Sequence, residues 1–315
     1  MKKIIIPITC LIILVLAFTN FKQISNFIIN KINLSNHIIV PNGNEYEKEY
    51  SYSFVQKTDS FIPYSKQDII NILYTILNKG ISKFTFYCPN EYELCINDIS
   101  EISNDENLFA ELNNFVHPYN SFTNIKTTYS DSREIILSVD YLYNQEQISA
   151  INKKADDLIK QINQNDSDYE KIKFIHDTII NNTKYDVDRN KNGTSQYQSH
   201  IAYGPAYEGY ATCNGYTDYM AIILSKMGYN NYKISTSLLE LSEKETGHIW
   251  NAVYVNDKWL HLDLTWDDPV STDGKDYLYH SYFLVTTEKL EEADSGQVVT
   301  KDHKFNKSIY TELKN

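Results

Sequence analysis

The stretch GPAYEGYATCNGYTDYMAIILSKMGY, residues 204–229, decides the fold of the second half of the chain. Apolar residues follow Cys213 at the spacing of one helix face and stop at Gly228, which predicts a helix that begins at Cys213. A helix start leaves backbone N–H groups unpaired and carries the positive end of the helix dipole. Both features favour a thiolate, and the same amides can hold an oxyanion. The alternative is a buried structural cysteine, which is the commoner role of a single cysteine.

A second stretch, GHIWNAVYVNDKWLHLDLTWDDP at residues 247–269, alternates in polarity on both sides of Asn256-Asp257. This pattern predicts two antiparallel strands joined by a two-residue turn. The resulting register makes His248 and Asp263 diagonal neighbours on one face of the hairpin, within reach of each other. Leucines at alternate positions occupy the other face. We therefore expect that replacing His248 or Asp263 with alanine leaves folding intact.

Cys213, His248 and Asp263 together have the residue types that thiol-based acyl transfer requires. An imidazole can remove the thiol proton and keep the thiolate paired with a cation near neutral pH. A carboxylate fixes the tautomer of the imidazole and stabilises its protonated form. Each residue alone has a commoner structural role, so the prediction depends on the joint arrangement.

These segments resemble the transglutaminase-like superfamily, whose papain-like core carries Cys, His and Asp in this order. The matching pieces are AYGPAYEGYATCNGY, GHIWNAV and WLHLDLTWDDP, and the preceding SDYEKIKFIHDTIINNTKYD is similar to the helix that leads into that core. The resemblance covers about residues 145–290 and implies a bacterial thiol enzyme with Cys213 as nucleophile, His248 as base and Asp263 as the partner that orients the histidine. Thr212 and Asn214 depart from the residues that flank the nucleophile in bacterial and animal relatives, respectively. Neither the substrates nor the calcium dependence of the animal enzymes is carried over.

The predicted fold class is α+β, with a nucleophile helix packed on an antiparallel sheet and a smaller α+β domain before it. We expect a signal peptide or signal-anchor at residues 1–20, a linker at 21–45, an N-terminal domain at 46–143 and the transglutaminase-like domain at 144–315. Tyr50–Phe54 alternates like a strand, and the segment from Cys88 to Cys95 is expected to turn between two strands.

Charge and composition limit the partners of the chain. Its formal net charge is −12, and it shows no lysine or arginine stripe, so nucleic acid is not expected as a partner. The loop at residues 181–198 has acidic and amide side chains in an order similar to a calcium loop, but it lacks the closing glutamate. We expect neither a metal nor another cofactor.

The N-terminus predicts export. Lys2 and Lys3 precede the apolar run Ile4–Phe18, which has the layout of a secretory signal, cleaved or retained as a membrane anchor. Cys88 and Cys95 then either form a disulfide or stay as thiols, and both outcomes leave Cys213 free.

Three functions follow from the sequence. The leading one is acyl transfer on protein or peptide amides at the cell surface, resolved by an amine as cross-linking or by water as hydrolysis. The second is a cysteine protease or amidase acting on cell-wall peptides. The third is a surface binding or scaffolding module without turnover, although an intact Cys213, His248 and Asp263 set favours an enzyme.

Overall fold

The computed structural model describes residues 38–130, 132–237, 247–271, 273, 275–295 and 302–314. The predicted signal segment and most of the predicted linker lie outside these ranges. No helix within the described ranges combines the length and the apolar character that a membrane span needs.

Three helices and a three-stranded antiparallel sheet form the N-terminal part. Ser65 caps the first helix by accepting a hydrogen bond from the Asp68 amide, as its sequence position favours. The sheet has the order β1-β3-β2, so the last strand lies in the centre. The elements are α1 (Lys66–Asn78), β1 (Lys83–Tyr87), α2 (Cys95–Ser103), α3 (Glu106–Phe115), β2 (Phe122–Tyr129) and β3 (Glu134–Tyr141).

Two local predictions in this part are wrong. Tyr50–Phe54 is irregular rather than a strand, because Tyr52 is buried among aromatic rings instead of pairing along an edge. Cys95 begins α2, so the segment after Cys88 joins a strand to a helix and not to a second strand. Cys88 and Cys95 form a disulfide across this connection, which resolves the alternative left open by the sequence.

The C-terminal part packs helices on a four-stranded antiparallel sheet of order β6-β7-β8-β9. This arrangement confirms the predicted α+β class and the helix that begins at Cys213. Two two-residue strands pair in parallel ahead of that helix. The elements are α4 (Gln145–Ile159), α5 (Asp168–Asn181), β4 (Lys184–Tyr185), α6 (Val187–Asn192), β5 (Tyr210–Ala211), α7 (Cys213–Lys226), β6 (Asn231–Ser235), β7 (Ile249–Val255), β8 (Lys258–Leu262), α8 (Leu264–Asp267), β9 (Phe283–Val285) and α9 (Thr287–Ser295).

One core joins the two parts of the chain. Phe115 of α3 stacks on Tyr232 of β6 and on Tyr310, with ring centroids 5.2 and 5.5 Å away. Tyr52 packs edge-on against the same Tyr232 ring. The sheet of the C-terminal part is therefore covered by α7 on one face and by N-terminal side chains on the other. The division at residues 143 and 144 stays a prediction.

The hairpin β7–β8 has the predicted register, with Val255 opposite Lys258. Asn256 and Asp257 both adopt positive φ angles, which this tight turn requires and which asparagine and aspartate tolerate. The strand is shorter than predicted: it ends at Leu262, and Asp263 becomes the N-cap of α8. The face that carries Asp263 is consequently not an open strand face but the start of a buried helical turn.

Candidate active site

Cys213 is the first residue of α7 and the one free cysteine within the described ranges. Its thiol is partly exposed and lies 3.8 Å from the side-chain oxygen of Asn214. Thr212 holds the N-cap position but makes no side-chain cap. Its amide and hydroxyl instead donate to the carbonyl of Ser199, at 2.8 and 3.3 Å. The first amides of α7 are thus not engaged by a capping side chain and stay available for an oxyanion.

The nucleophile helix is attached directly to the strand that follows His248. Thr217 donates its hydroxyl to the carbonyl of Ile249 at 2.9 Å, and its own carbonyl accepts from the Asn251 amide at 3.0 Å. Gly215 completes the fit, since a Cβ there would come within 2.2 Å of the Ser199 carbonyl oxygen. These contacts fix the separation between Cys213 and the hairpin.

A buried ion pair attaches the middle of the same helix to the sheet. Lys233 of β6 donates to Asp218 of α7 at 3.0 Å and to the Ser121 hydroxyl at 3.0 Å. The second carboxylate oxygen of Asp218 accepts from the Tyr143 hydroxyl at 2.7 Å. The burial of these charges is tolerated because they are paired and hydrogen-bonded. Removal of one partner would leave the other as an unpaired buried charge, which costs its full desolvation free energy.

His248 lies between the thiol and a buried carboxylate. Its Nε2 is 2.5 Å from Oδ2 of Asp263, and Cys213 is close enough to contribute to the raised pKa of the imidazole. Since Nε2 faces the carboxylate, Nδ1 is the nitrogen left for the thiol. The Trp250 ring lies parallel to the imidazole, with centroids 5.7 Å apart, and restricts its rotation.

The protonation of this pair is set by mutual charge. Burial alone would lower the pKa of His248, but the charge and hydrogen bond of Asp263, together with the Cys213 thiol, raise it well above its ordinary value. Burial would likewise raise the pKa of Asp263, but His248 and His303 hold it well below its usual range. The arrangement therefore favours an ionised carboxylate beside an imidazolium at neutral pH.

Asp263 also supports the local fold. Its Oδ1 accepts from the amides of Thr265 and Trp266 at 2.8 and 3.2 Å, which caps α8. Its side chain is 1% exposed. Alanine at this position would remove the cap and leave the buried His248 without its partner, so from the structure we expect Asp263→Ala to destabilise the fold, in contrast to the expectation from sequence.

The structure adds two residues to the site that the sequence did not reveal. His303 donates from Nε2 to the same Asp263 oxygen at 2.8 Å, and its Nδ1 lies 2.7 Å from Asp294 of α9. His303 is 40 residues from Asp263 and lies in an irregular segment, so neither periodicity nor spacing marks it. Its one acidic sequence neighbour, Asp302, is no signal of a site.

Several residues near the nucleophile have structural roles. Tyr207 donates its hydroxyl to the Ala150 carbonyl at 2.9 Å. Gly204 packs against the backbone of Tyr210 and Ser199. Both positions fix the segment that enters β5.

Within the part of the chain that the structure describes, two His–Asp clusters have residue types that bind metals. In each, the histidine nitrogens already lie within 2.5–2.8 Å of one shared carboxylate oxygen, as in hydrogen-bonded chains. The clusters are His176 with Asp177 and His280, and His248 with Asp263 and His303. The loop similar to a calcium site contains the short helix α6, capped by Asp186, whose other oxygen accepts from Ser199.

A cavity of about 300 Å³ lies beside Tyr185 and the segment that follows α8. Tyr185, which pairs with Ala211 just before the nucleophile, forms part of its wall. Lys184, Asp268 and Val270 lie on the same cavity. Burial, and then the charge of Cys213, raise the pKa of Tyr185.

Residues 156–264 match the family described as the transglutaminase-like superfamily. The match includes Cys213, His248 and Asp263 and confirms the resemblance seen in the sequence. This part of the chain is a transglutaminase-like core. No curated protein matches the chain.

Three solved structures are similar over part of their length. A TGase crystal structure is 14% identical, with a TM-score of 0.33, over 49% of this chain and 48% of its own. A candidate cysteine protease from Cytophaga hutchinsonii is 13% identical, with a TM-score of 0.29, over 45% and 61%. A candidate protease from Parabacteroides distasonis is 12% identical, with a TM-score of 0.26, over 45% and 36%. At TM-scores this low the likenesses carry no weight for the function, and the chain spans only about half of the TGase structure.

Proposed function

We propose that this chain, through its transglutaminase-like core, catalyses thiol-dependent acyl transfer on protein or peptide amides. The observation that carries the proposal is the position of His248, which binds the buried Asp263 carboxylate at 2.5 Å and is close enough to Cys213 for the sulfur to help raise its pKa. A buried carboxylate that orients an imidazole near a thiol is the arrangement that activates a cysteine nucleophile.

The chemistry follows from these contacts. His248 takes the thiol proton, and the thiolate forms a bond to the amide carbonyl carbon while the carbonyl electrons move to oxygen. The amides at the start of α7 stabilise that oxyanion. When the C–N bond breaks, the imidazolium gives its proton to the departing amine, and a thioester remains on Cys213. An amine or water then adds to the thioester, again with His248 as base, and the thiol is restored.

Resolution by water is the second candidate function and makes the chain a cysteine protease or amidase. The partial exposure of Cys213 favours it, because an open thioester is accessible to solvent. Resolution by an amine needs a site for the acceptor next to the sulfur. The cavity beside Tyr185 is the candidate for this site, because Tyr185 pairs with Ala211, two residues before Cys213, and the cavity carries both acidic and basic side chains.

We also propose that the enzyme works outside the cytoplasm, secreted or held at the membrane by its N-terminal segment. The disulfide between Cys88 and Cys95 supports this location, since such bonds persist in oxidising compartments. Its substrates would then be cell-surface proteins or cell-wall peptides.

The experiment incubates the full chain with glutamine-containing peptides, with and without a fluorescent primary amine, and analyses the products by mass spectrometry. Amine incorporation supports transfer, whereas peptide cleavage or deamidation supports hydrolysis. Cys213→Ala must abolish either product. His280→Gln is the matched control, because His280 belongs to the other His–Asp cluster and should not affect the products. Equal product formation by wild type and a folded Cys213→Ala would contradict the proposal.

A further inference from the structure

His303 and His248 compete for one carboxylate oxygen. Both donate from Nε2 to Oδ2 of Asp263, at 2.8 and 2.5 Å, while the other oxygen of Asp263 is occupied by backbone amides. The two rings meet edge to face, with centroids 5.3 Å apart. A change in the charge of one ring must therefore affect the other.

The position of His303 defines its charge. Its Nδ1 faces Asp294 at 2.7 Å, and its Nε2 faces Asp263 at 2.8 Å. A neutral imidazole has only one N–H and would direct a lone pair at one of the two carboxylates. Only the imidazolium donates to both, and at 1% exposure of its side chain no solvent replaces a missing donor.

We propose that His303 is a positioning residue whose positive charge, held between Asp263 and Asp294, limits how tightly His248 binds its proton. The proposal rests on the proposed function, because the consequence concerns the proton that His248 must release. A histidine that is the sole cationic partner of a buried carboxylate holds its proton firmly and is a poor acid toward a leaving amine. Sharing Asp263 with a second cation weakens that hold without removing the carboxylate.

The surroundings of His303 are consistent with this role. Burial would lower its pKa, but Asp263 and Asp294 raise it, and His248 opposes them. Tyr282 stacks on the ring with centroids 4.9 Å apart and gives its hydroxyl to Asp294. The charged or titratable groups that face His303 from the elements around it are Asp263 at the start of α8, Asp294 in α9, His248 before β7, His261 in β8, the adjacent Asp302 and Tyr282 before β9. His261 is neutral, since burial and then His303 lower its pKa to about 3.

The test measures the pKa of His248 by nitrogen NMR of the full chain labelled at histidine. A Cys213→Ala background is used, so the result does not depend on any activity and stays valid if the proposed reaction is wrong. His303→Gln keeps a donor toward Asp263 but removes the charge. At a ring separation of 5.3 Å we expect the pKa of His248 to rise by at least ~1 unit. His280→Gln serves as the control and should leave that pKa unchanged.

A folded His303→Gln protein in which the pKa of His248 is unchanged or lower would overturn the proposal. If His303→Gln does not fold, the Cys213→Ala protein with His303 intact provides a second measurement. Its His303 should show two protonated nitrogens at neutral pH, and the His248 signal should shift as His303 loses its proton. A neutral His303 at neutral pH, or a His248 titration that does not depend on the titration of His303, would equally overturn the proposal. Asp294→Asn should lower the pKa of His303 in the same spectra, and no change there would argue against the charge assignment.

Discussion

Replacing Asp263 with asparagine removes a negative charge from within 2.5 Å of His248 Nε2 while keeping the size of the side chain. Asparagine also remains a good N-cap, so the bonds from the Thr265 and Trp266 amides can persist. The amide nitrogen would face two histidine N–H groups, and at least one ring must change its tautomer. The substitution therefore tests the charge and tautomer of the pair more than the local fold.

The magnitude follows from the charge separation. Two unit charges about 4 Å apart interact by about 4 kcal/mol at an effective dielectric constant of about 20. Loss of this interaction corresponds to about 3 pH units in the protonation of His248. We expect the thiolate–imidazolium pair to become rarer, and alkylation of Cys213 near pH 7 to slow by about 100-fold or more. Unfolding should require about 3–5 kcal/mol less free energy, because a buried pair loses one partner.

The assay is the rate of iodoacetamide incorporation at Cys213, located by mass spectrometry, beside urea unfolding of the same samples. Asp267→Asn is the matched control: Asp267 is equally buried and four residues further on, but it contacts Tyr282 and His176 and not His248. The control should alkylate at nearly the wild-type rate. A folded Asp263→Asn protein that alkylates as fast as wild type would refute the reasoning.

Three further substitutions test the framework that positions the site. Lys233→Met should lower the free energy of unfolding by about 3–5 kcal/mol, because it leaves the buried Asp218 without its cation, whereas Lys226→Met breaks an exposed pair with Asp156 and should cost about 1 kcal/mol or less. Equal losses for the two variants in urea unfolding would contradict this. Gly215→Ala should lower the melting temperature, because the new Cβ would meet the Ser199 carbonyl, even though alanine normally stabilises a helix by about 0.5–1 kcal/mol relative to glycine. A higher melting temperature would exclude that contact. Replacing both Cys88 and Cys95 with serine should lower the free energy of unfolding, measured in urea, by about 2 kcal/mol and leave the alkylation rate of Cys213 unchanged. Slower alkylation would show that the disulfide affects the site.

The sequence predicted the parts of the site that depend on local pattern. The helix that begins at Cys213 follows from apolar spacing, and the β7–β8 register follows from the Asn256-Asp257 turn. Both patterns are short in range, so the residues that define them are neighbours in the chain.

The rest depends on contacts between distant segments. The sequence predicts Asp263 on a strand. In the structure its amide donates to the Tyr282 carbonyl, and the chain turns into α8 at this residue. His303 and Asp294 lie outside any repeating pattern and meet Asp263 only when the C-terminal segment folds back. Tyr52 was placed in a strand because alternation cannot distinguish an edge strand from an irregular segment whose ring enters a core.

The most direct test of the central claim is the pH dependence of Cys213 alkylation in the full chain, compared between wild type and His248→Gln. If the thiol is paired with His248, wild type alkylates rapidly across neutral pH, and the variant alkylates slowly until about pH 8 and above, as an ordinary thiol does. Slow wild-type alkylation that rises only in that alkaline range, and is unchanged in His248→Gln, would contradict the account.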